Sequence, residues 1–302
     1  MSLPVRILFC TDPLIPARPD RAFVHEVEAA EAAGLAWSQV DFEALVAGDL
    51  TRALRRVAEL TAPETAIYRG WMLRVGTYEA LYHGLFARGW RLINSPAAYR
   101  STHLLPDALP YLGADTPRTV VVPLGPAFGW PAIHAALAEL GAGPVLVKDY
   151  VKSRKHEWDD ACFIRAADDR AEVEHVAGNF IERQSDDLVG GLVFRAFETL
   201  VGLGVHPQSG MPLAREWRRF VADGRVLAGA PAWELPDLGP PPPEFAALAR
   251  RVPSRFFTLD LAERVTGEWT AIELGDGQVA GLPPQLDARE FFKSLADWDP
   301  RP

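Results

Sequence analysis

The hydrophobic pattern changes period near the middle of the chain, and that change restricts the fold more than any other feature. Short apolar runs at 5–10, 35–40, 65–69 and 90–94 are separated by helix-spaced segments after Pro19-Asp20, at 50–60 and at 77–88. Strands alternating with helices at this spacing imply a parallel sheet with right-handed crossovers. That first third reads as a doubly wound α/β domain. Beyond residue 200 the pattern is one of paired strands. The runs 214–222 and 225–230 flank Asp223-Gly224, a strong signal for a two-residue hairpin loop, and 255–263 and 268–275 flank Val265-Thr266-Gly267. The expected order is a parallel α/β half followed by an antiparallel, hairpin-rich half.

Between these halves, Pro96, Pro106, Pro110 and Pro117 punctuate short helices over 97–112. A β-branched run at 118–123, a helix at 131–140 closed by Gly141-Ala142-Gly143, a strand at 144–150, a helix at 171–183 and a strand at 188–200 follow. The proline-rich stretch 236–244 reads as a solvated polyproline spacer, and helices at 244–251 and 287–297 end the chain. A length of 302 residues suits two domains.

Composition removes several function classes. Acidic residues outnumber basic ones 40 to 31, for a net charge of −9, so nucleic acid and anionic membranes are not expected partners. No apolar run approaches the roughly 18 residues of a membrane helix, and the first residues lack a signal-peptide pattern. Cys10 and Cys162 are too few for a disulfide framework. A cytoplasmic location is the expectation. The seven histidines show no metal-binding spacing, and no nucleophile-elbow or Walker-type motif occurs.

Three groups of residues carry possible chemistry. If Thr266-Gly267 form a two-residue loop, Asp260 and Glu273 face each other across the strands with their roots roughly 5 Å apart. Two such carboxylates repel by about 4 kcal/mol at an effective dielectric of about 20, unless a cation lies between them. A hard divalent ion such as Mg²⁺ suits that need; the alternative is two solvent-facing acids that avoid each other. The basic run 148–156 (KDYVKSRKH) starts inside a strand, so Lys148 offers a fixed point charge to a phosphate while Lys152 and Arg154 approach from the loop. Solvation balanced by Glu157, Asp159 and Asp160 is the competing reading. In the first hairpin, Glu216, Arg218 and Phe220 share one face and Trp217, Arg219 and Val221 the other.

Taken in order, these segments resemble the ATP-grasp superfamily, and within it the clade marked by one arginine and two lysines around the nucleotide. The resemblance covers most of the chain. The segments 91–101 (RLINSPAAYRS) and 116–122 (TPRTVVV) resemble the end of the preceding α/β domain and the strand that opens the ATP-grasp region. The segment 144–156 is the most specific match, with Lys148, Lys152 and Arg154 at the clade's positions. The segment 192–200 (LVFRAFETL) resembles the hinge strand that reads adenine, which brings in Arg195, Phe197 and Glu198; Arg195 stands where an acid or amide is usual. The segment 216–221 (EWRRFV) points to Arg218 beside the transferred phosphate, and Asp260 and Glu273 fall where the family holds magnesium. Gly275 stands where an asparagine usually adds a further ligand. Asp276 is then either its substitute or the first residue of a tight Asp-Gly turn.

The resemblance implies a pre-ATP-grasp α/β domain at 1–115 and an α+β ATP-grasp domain with antiparallel sheets at 116–302, subdivided at 190/191. It implies an ATP- and Mg²⁺-dependent ligase that joins a small-molecule or peptide carboxylate to an amine through an acylphosphate. Catalysis would fall to Arg218, Lys152 and Arg154, nucleotide binding to Lys148, Lys152, Arg154, Arg195, Phe197 and Glu198, and metal binding to Asp260, Glu273 and Asp276. A phosphotransferase of the same fold and a non-catalytic nucleotide-binding protein are the alternatives.

Overall fold

A computed structural model describes residues 5–206, 211–234, 239–242, 245–298 and 300, and among these described residues fourteen strands appear. They are β1 (Arg6–Cys10), β2 (Trp37–Val40), β3 (Glu64–Arg69), β4 (Trp90–Leu92), β5 (Thr119–Pro123), β6 (Val145–Lys148), β7 (Phe163–Ile164) and β8 (Gly191–Ala196). β9 (Gly202–Val205), β10 (Pro212–Ala214), β11 (Glu216–Ala222), β12 (Arg225–Pro231), β13 (Phe256–Glu263) and β14 (Trp269–Asp276) complete the set. The first four form a parallel sheet in the order β2-β1-β3-β4, and the others form sheets β5-β8-β6-β7, β10-β9 and β12-β11-β13-β14. Most of the proline-rich stretch lies outside the described residues, as do 207–210.

The chain divides into two compact units, neither continuous in sequence: 1–102 with 217–260 and 274–302, and 103–216 with 261–273. These units do not coincide with the linear division expected at 115/116. Strands β13 and β14 each run through both.

In the first unit the alternation along β1 sends Leu8 and Cys10 to one apolar cluster and Ile7 and Phe9 to another. Both faces of the parallel sheet are therefore buried, as the doubly wound reading requires. Tyr78, Leu81 and Leu85 of the helix Val75–Ala87 cover the first face. The second is covered by the helices Val24–Ala32 and Ala288–Asp297, together with Phe220 and Phe256 from the late strands. This shared core explains why the unit draws on both ends of the sequence. Asp223 and Gly224 have φ of 44° and 73°, the two positive values of a primed two-residue hairpin turn, which matches the expectation.

In the second unit the antiparallel sheet β5-β8-β6-β7 has one face packed by helices. Val145, Val147, Leu192 and Phe194 point into a core shared with Ile133 and Leu137 of Trp130–Ala138 and Val173, Val176 and Phe180 of Arg170–Gln184. Lys148 pairs with Val193 and Leu146 with Arg195 across the ladder, so these four residues share the opposite face.

The second hairpin departs from its expected loop. The Gly267 amide donates to the Arg264 carbonyl (2.9 Å) and the Arg264 amide to the Glu268 carbonyl (2.7 Å), with Gly267 at φ 87°. The loop thus has three residues, and its closing pair is one residue out of the two-residue register. At the far end, in the first unit, the Gly277 amide donates to Phe256 (3.2 Å) and Gly275 lies against Thr258, which restores the expected register there. A left-handed glycine at the third loop position favours this longer turn.

Candidate functional site

Lys148 ends β6 on the face that the helices leave open, and its side chain is only 9% exposed. Nζ donates to Glu273 Oε2 at 2.8 Å. Burial pushes the Glu273 carboxyl up, but the Lys148 ammonium and its hydrogen bond, helped by Lys155 and Arg195, outweigh burial and bring it down to about 2. Glu273 is therefore an anion at neutral pH, and its side chain is 36% exposed.

The loop after Lys148 is shaped by Asp149, a fully buried residue that sequence reasoning passed over. Its Oδ1 accepts from the amides of Val151 (2.7 Å) and Lys152 (2.5 Å), and its Oδ2 from Gln184 Nε2 (3.0 Å) and the Val189 amide (3.3 Å). The turn it closes carries the chain back so that Ser153 bridges to Lys148. Lys152 is thereby held on a short turn, exposed and without a side-chain partner among the described residues. Arg154 is engaged instead. It donates to Glu157 and to Gln184 Oε1 (3.1 Å), and the same contact pulls Glu157 down to about 2. An Asx signature, aspartate two and three residues before amides in a turn, was the available sequence signal for Asp149.

Arg195 lies on the same sheet face as Lys148 and is 6% exposed. Nη1 donates to the Ile272 carbonyl (2.6 Å) and Nη2 to Thr116 Oγ1 (2.7 Å), while Nε is buried with no hydrogen-bond partner among the described residues. Burial lowers its pKa to about 10, against the pull of Glu273 and Glu198. Phe197, next but one along the chain, closes a half-buried aromatic group with Trp158 (6.1 Å) and Phe163 (5.0 Å). Glu198 pairs with Arg264 at 2.8 Å. His103 shares this electrostatic neighbourhood: burial lowers its pKa to about 4, the Glu273 carboxylate raises it, and Lys148 and Lys152 lower it. An isolated histidine carries no pattern by which the sequence could have marked it.

The remaining candidates belong to the first unit. Arg218 holds Asp260 by a two-pronged pair, Nε to Oδ1 at 2.8 Å and Nη2 to Oδ2 at 2.7 Å, and Nη1 reaches the Gly281 carbonyl (3.1 Å). Asp276 is placed otherwise than the metal reading expects. It is fully buried, its Oδ2 accepts from Asn94 Nδ2 (2.6 Å), and its Oδ1 accepts from the Gln278 amide (2.9 Å) and Nε2 (3.1 Å). The amides of Val279 and Ala280 donate to its carbonyl, so Asp276 opens a turn, the second of its two readings. With both oxygens occupied in the core, it corrects the expectation of a third metal ligand. Position 275 offers no substitute, because a Cβ there would come within 2.6 Å of Thr258 Oγ1. Among the described residues, no three His, Cys, Asp or Glu side chains cluster as a metal site. No described helix is long and apolar enough to cross a membrane.

A family model described as the ATP-grasp domain, family 3 of the clade named for one arginine and two lysines, matches residues 139–295. No curated protein gives a significant sequence match. Among solved structures, the chain is similar to the RimK domain protein ATP-grasp from Sphaerobacter thermophilus DSM 20745. The identity is 18% and the TM-score 0.58, over 98% of this chain and 99% of that one. D-cycloserine synthetase DcsG aligns at 15% identity and TM-score 0.58 over 97% and 99% of the two chains. The ATP-grasp ligase PsnB, complexed with a phosphomimetic variant of its minimal precursor, Mg and ADP, aligns at 15% and 0.55 over 98% and 99%. These likenesses establish a common fold.

Proposed function

Because the chain belongs to the ATP-grasp family, in the third family of the arginine-and-two-lysine clade, we propose that it is an ATP-dependent ligase. In this reading it joins a carboxylate to an amine with the help of Mg²⁺. The observation that carries the reading is the Lys148–Glu273 pair, a buried-root ammonium against an ionised, half-exposed carboxylate. The pair matches the two charges of a magnesium-bound phosphate. Lys148 can exchange the carboxylate for phosphate oxygens, and Glu273 can exchange the ammonium for a hard cation.

The donor chemistry fits the metal: Glu273 is ionised, its Oε1 is not engaged by any hydrogen bond among the described residues, and carboxylate oxygen is the ligand type Mg²⁺ takes. Asp260, held in its pair with Arg218, is the second residue we assign to the metal. Mg²⁺, when bound, would supply charge neutralisation on the transferred group. Lys148 and Lys152 bind phosphates, the first from a strand end and the second from the Asp149 turn. Arg154 joins them with Glu157 as its resting counter-ion. Arg218 stabilises charge on the phosphoryl or acyl oxygens, and Phe197 and Glu198 meet the base and ribose. A carboxylate oxygen attacks the γ-phosphorus of ATP and ADP leaves; the amine then attacks the acyl carbon of the acylphosphate, forming the C–N bond and releasing phosphate.

Incubation with ATP, Mg²⁺ and mixed small acids, amino acids and peptides tests the proposal. Chromatography of the nucleotides and mass spectrometry should find ADP, phosphate and a product weighing the acid plus the amine less water. AMP, a phosphorylated end product, or no turnover contradicts it.

A further inference from the structure

Glu273 is preceded by three residues of β14 that are each tied down within the second unit. Thr270 Oγ1 donates to the Asp115 carbonyl (3.1 Å). The Ala271 carbonyl accepts from Thr116 Oγ1 (2.7 Å), and the Ile272 carbonyl accepts from Arg195 Nη1 (2.6 Å). Arg195 Nη2 in turn donates to Thr116 Oγ1 (2.7 Å), so the two side chains form one clamp on successive carbonyls. Among the described residues, only Lys148 holds the carboxylate itself by a hydrogen bond. A strand whose register slips between its two ends needs such a fixture if one side chain on it is to keep a defined direction.

Arg195 is a costly residue for packing alone. It is buried, it leaves Nε without a partner among the described residues, and a well-packed apolar side chain of similar volume is often no less stable. We infer that Arg195, acting with Thr116, is a positioning residue: it fixes the backbone immediately before Glu273 so that this carboxylate is presented to the metal that accompanies the nucleotide. The inference rests on the ligase reading above and assigns Arg195 a role other than adenine recognition. The guanidinium is suited to this because its planar fork serves a carbonyl and a hydroxyl at once, which a lysine ammonium on a flexible stem does not reproduce.

The test measures Mn²⁺ binding by electron paramagnetic resonance in the presence of a non-hydrolysable ATP analogue, on the full chain and on Arg195→Gln, Arg195→Lys and Thr116→Val. Partners that orient a metal-binding side chain typically set metal affinity by roughly ten- to a hundredfold. Arg195→Gln is expected to weaken Mn²⁺ by about tenfold or more, with the metal-free affinity for the analogue unchanged. Arg195→Lys should not rescue the loss, and Thr116→Val should move it in the same direction. If Arg195→Gln does not fold, Thr116→Val decides alone. Mn²⁺ affinity within about twofold of wild type in the folded variants, or full rescue by Arg195→Lys, overturns the clamp. Wild-type protein with neither Mn²⁺ binding nor ATP turnover overturns the ligase reading instead.

Discussion

Replacing Asn94 by alanine should destabilise the protein in a pH-dependent way. Asn94 is fully buried, and its Oδ1 accepts from the amides of Arg255 (3.2 Å) and Phe256 (3.1 Å) while its Nδ2 donates to Asp276 Oδ2 at 2.6 Å. The variant leaves two backbone N–H groups without that acceptor, at about 1 kcal/mol each, and removes a hydrogen bond to a carboxylate worth about 2 kcal/mol. Burial raises Asp276 from 3.8 to about 6 despite the Asn94 and Gln278 donors. The native state therefore binds this proton more tightly than the unfolded chain, so wild-type stability falls as pH rises from about 4 to 6 and stays lower above. Without the Asn94 donor the native pKa moves higher still, and the variant goes on losing stability past pH 6. The deficit should be about 4 kcal/mol at pH 8 and about 2 kcal/mol at pH 5. Urea denaturation followed by tryptophan fluorescence at both pH values measures it. A deficit equal at the two pH values, or below about 1 kcal/mol at pH 8, would refute the reasoning.

Lys148→Ala should weaken ATP binding at least about tenfold, the usual worth of a charge-assisted contact, as titration calorimetry would show. The same change leaves burial of Glu273 opposed only by Lys155 and Arg195. In the wild type the stability this carboxylate adds is complete above its ordinary 4.5 and lost as pH falls toward 2, so the variant, whose Glu273 is no longer held down by Lys148, should lose less stability over that range in an acid titration. Asp260→Asn should raise the Mg²⁺ concentration for half-maximal turnover. Because Asp260 is held by Arg218, the substitution should also cost about 1 kcal/mol of stability, read by denaturant titration. Asp149→Ala, which strips acceptors from three amides and Gln184, should cost about 3 kcal/mol and weaken ATP binding with it.

What the sequence could disclose follows the range of the interactions involved. The parallel sheet and the Asp223-Gly224 turn rest on local chemistry, hydrophobic period and positive φ, and both were legible. The position of Lys148 at a strand end was legible too, because the apolar run before it marks the strand. The loop at 265–267 was not, since two- and three-residue turns use the same glycine and differ by one residue of register. Which of its two readings Asp276 follows was not legible, for a different reason. Its donor Asn94 is 182 residues away, and no local pattern reveals that a carboxylate will be enclosed. Arg195 and Glu273 are likewise joined through Thr116 and β14, contacts that exist only once the chain has folded.

The central claim is that a carboxylate is activated by phosphoryl transfer, and one isotope measurement addresses it directly. A substrate carboxylate labelled with oxygen-18 is supplied with ATP, Mg²⁺ and the amine, and the released phosphate is examined by ³¹P NMR. The account predicts ADP as the nucleotide product and one labelled oxygen in the phosphate. The oxygen must pass through the acylphosphate and leave with phosphorus when the amine attacks. Unlabelled phosphate, or AMP carrying the label, would contradict it.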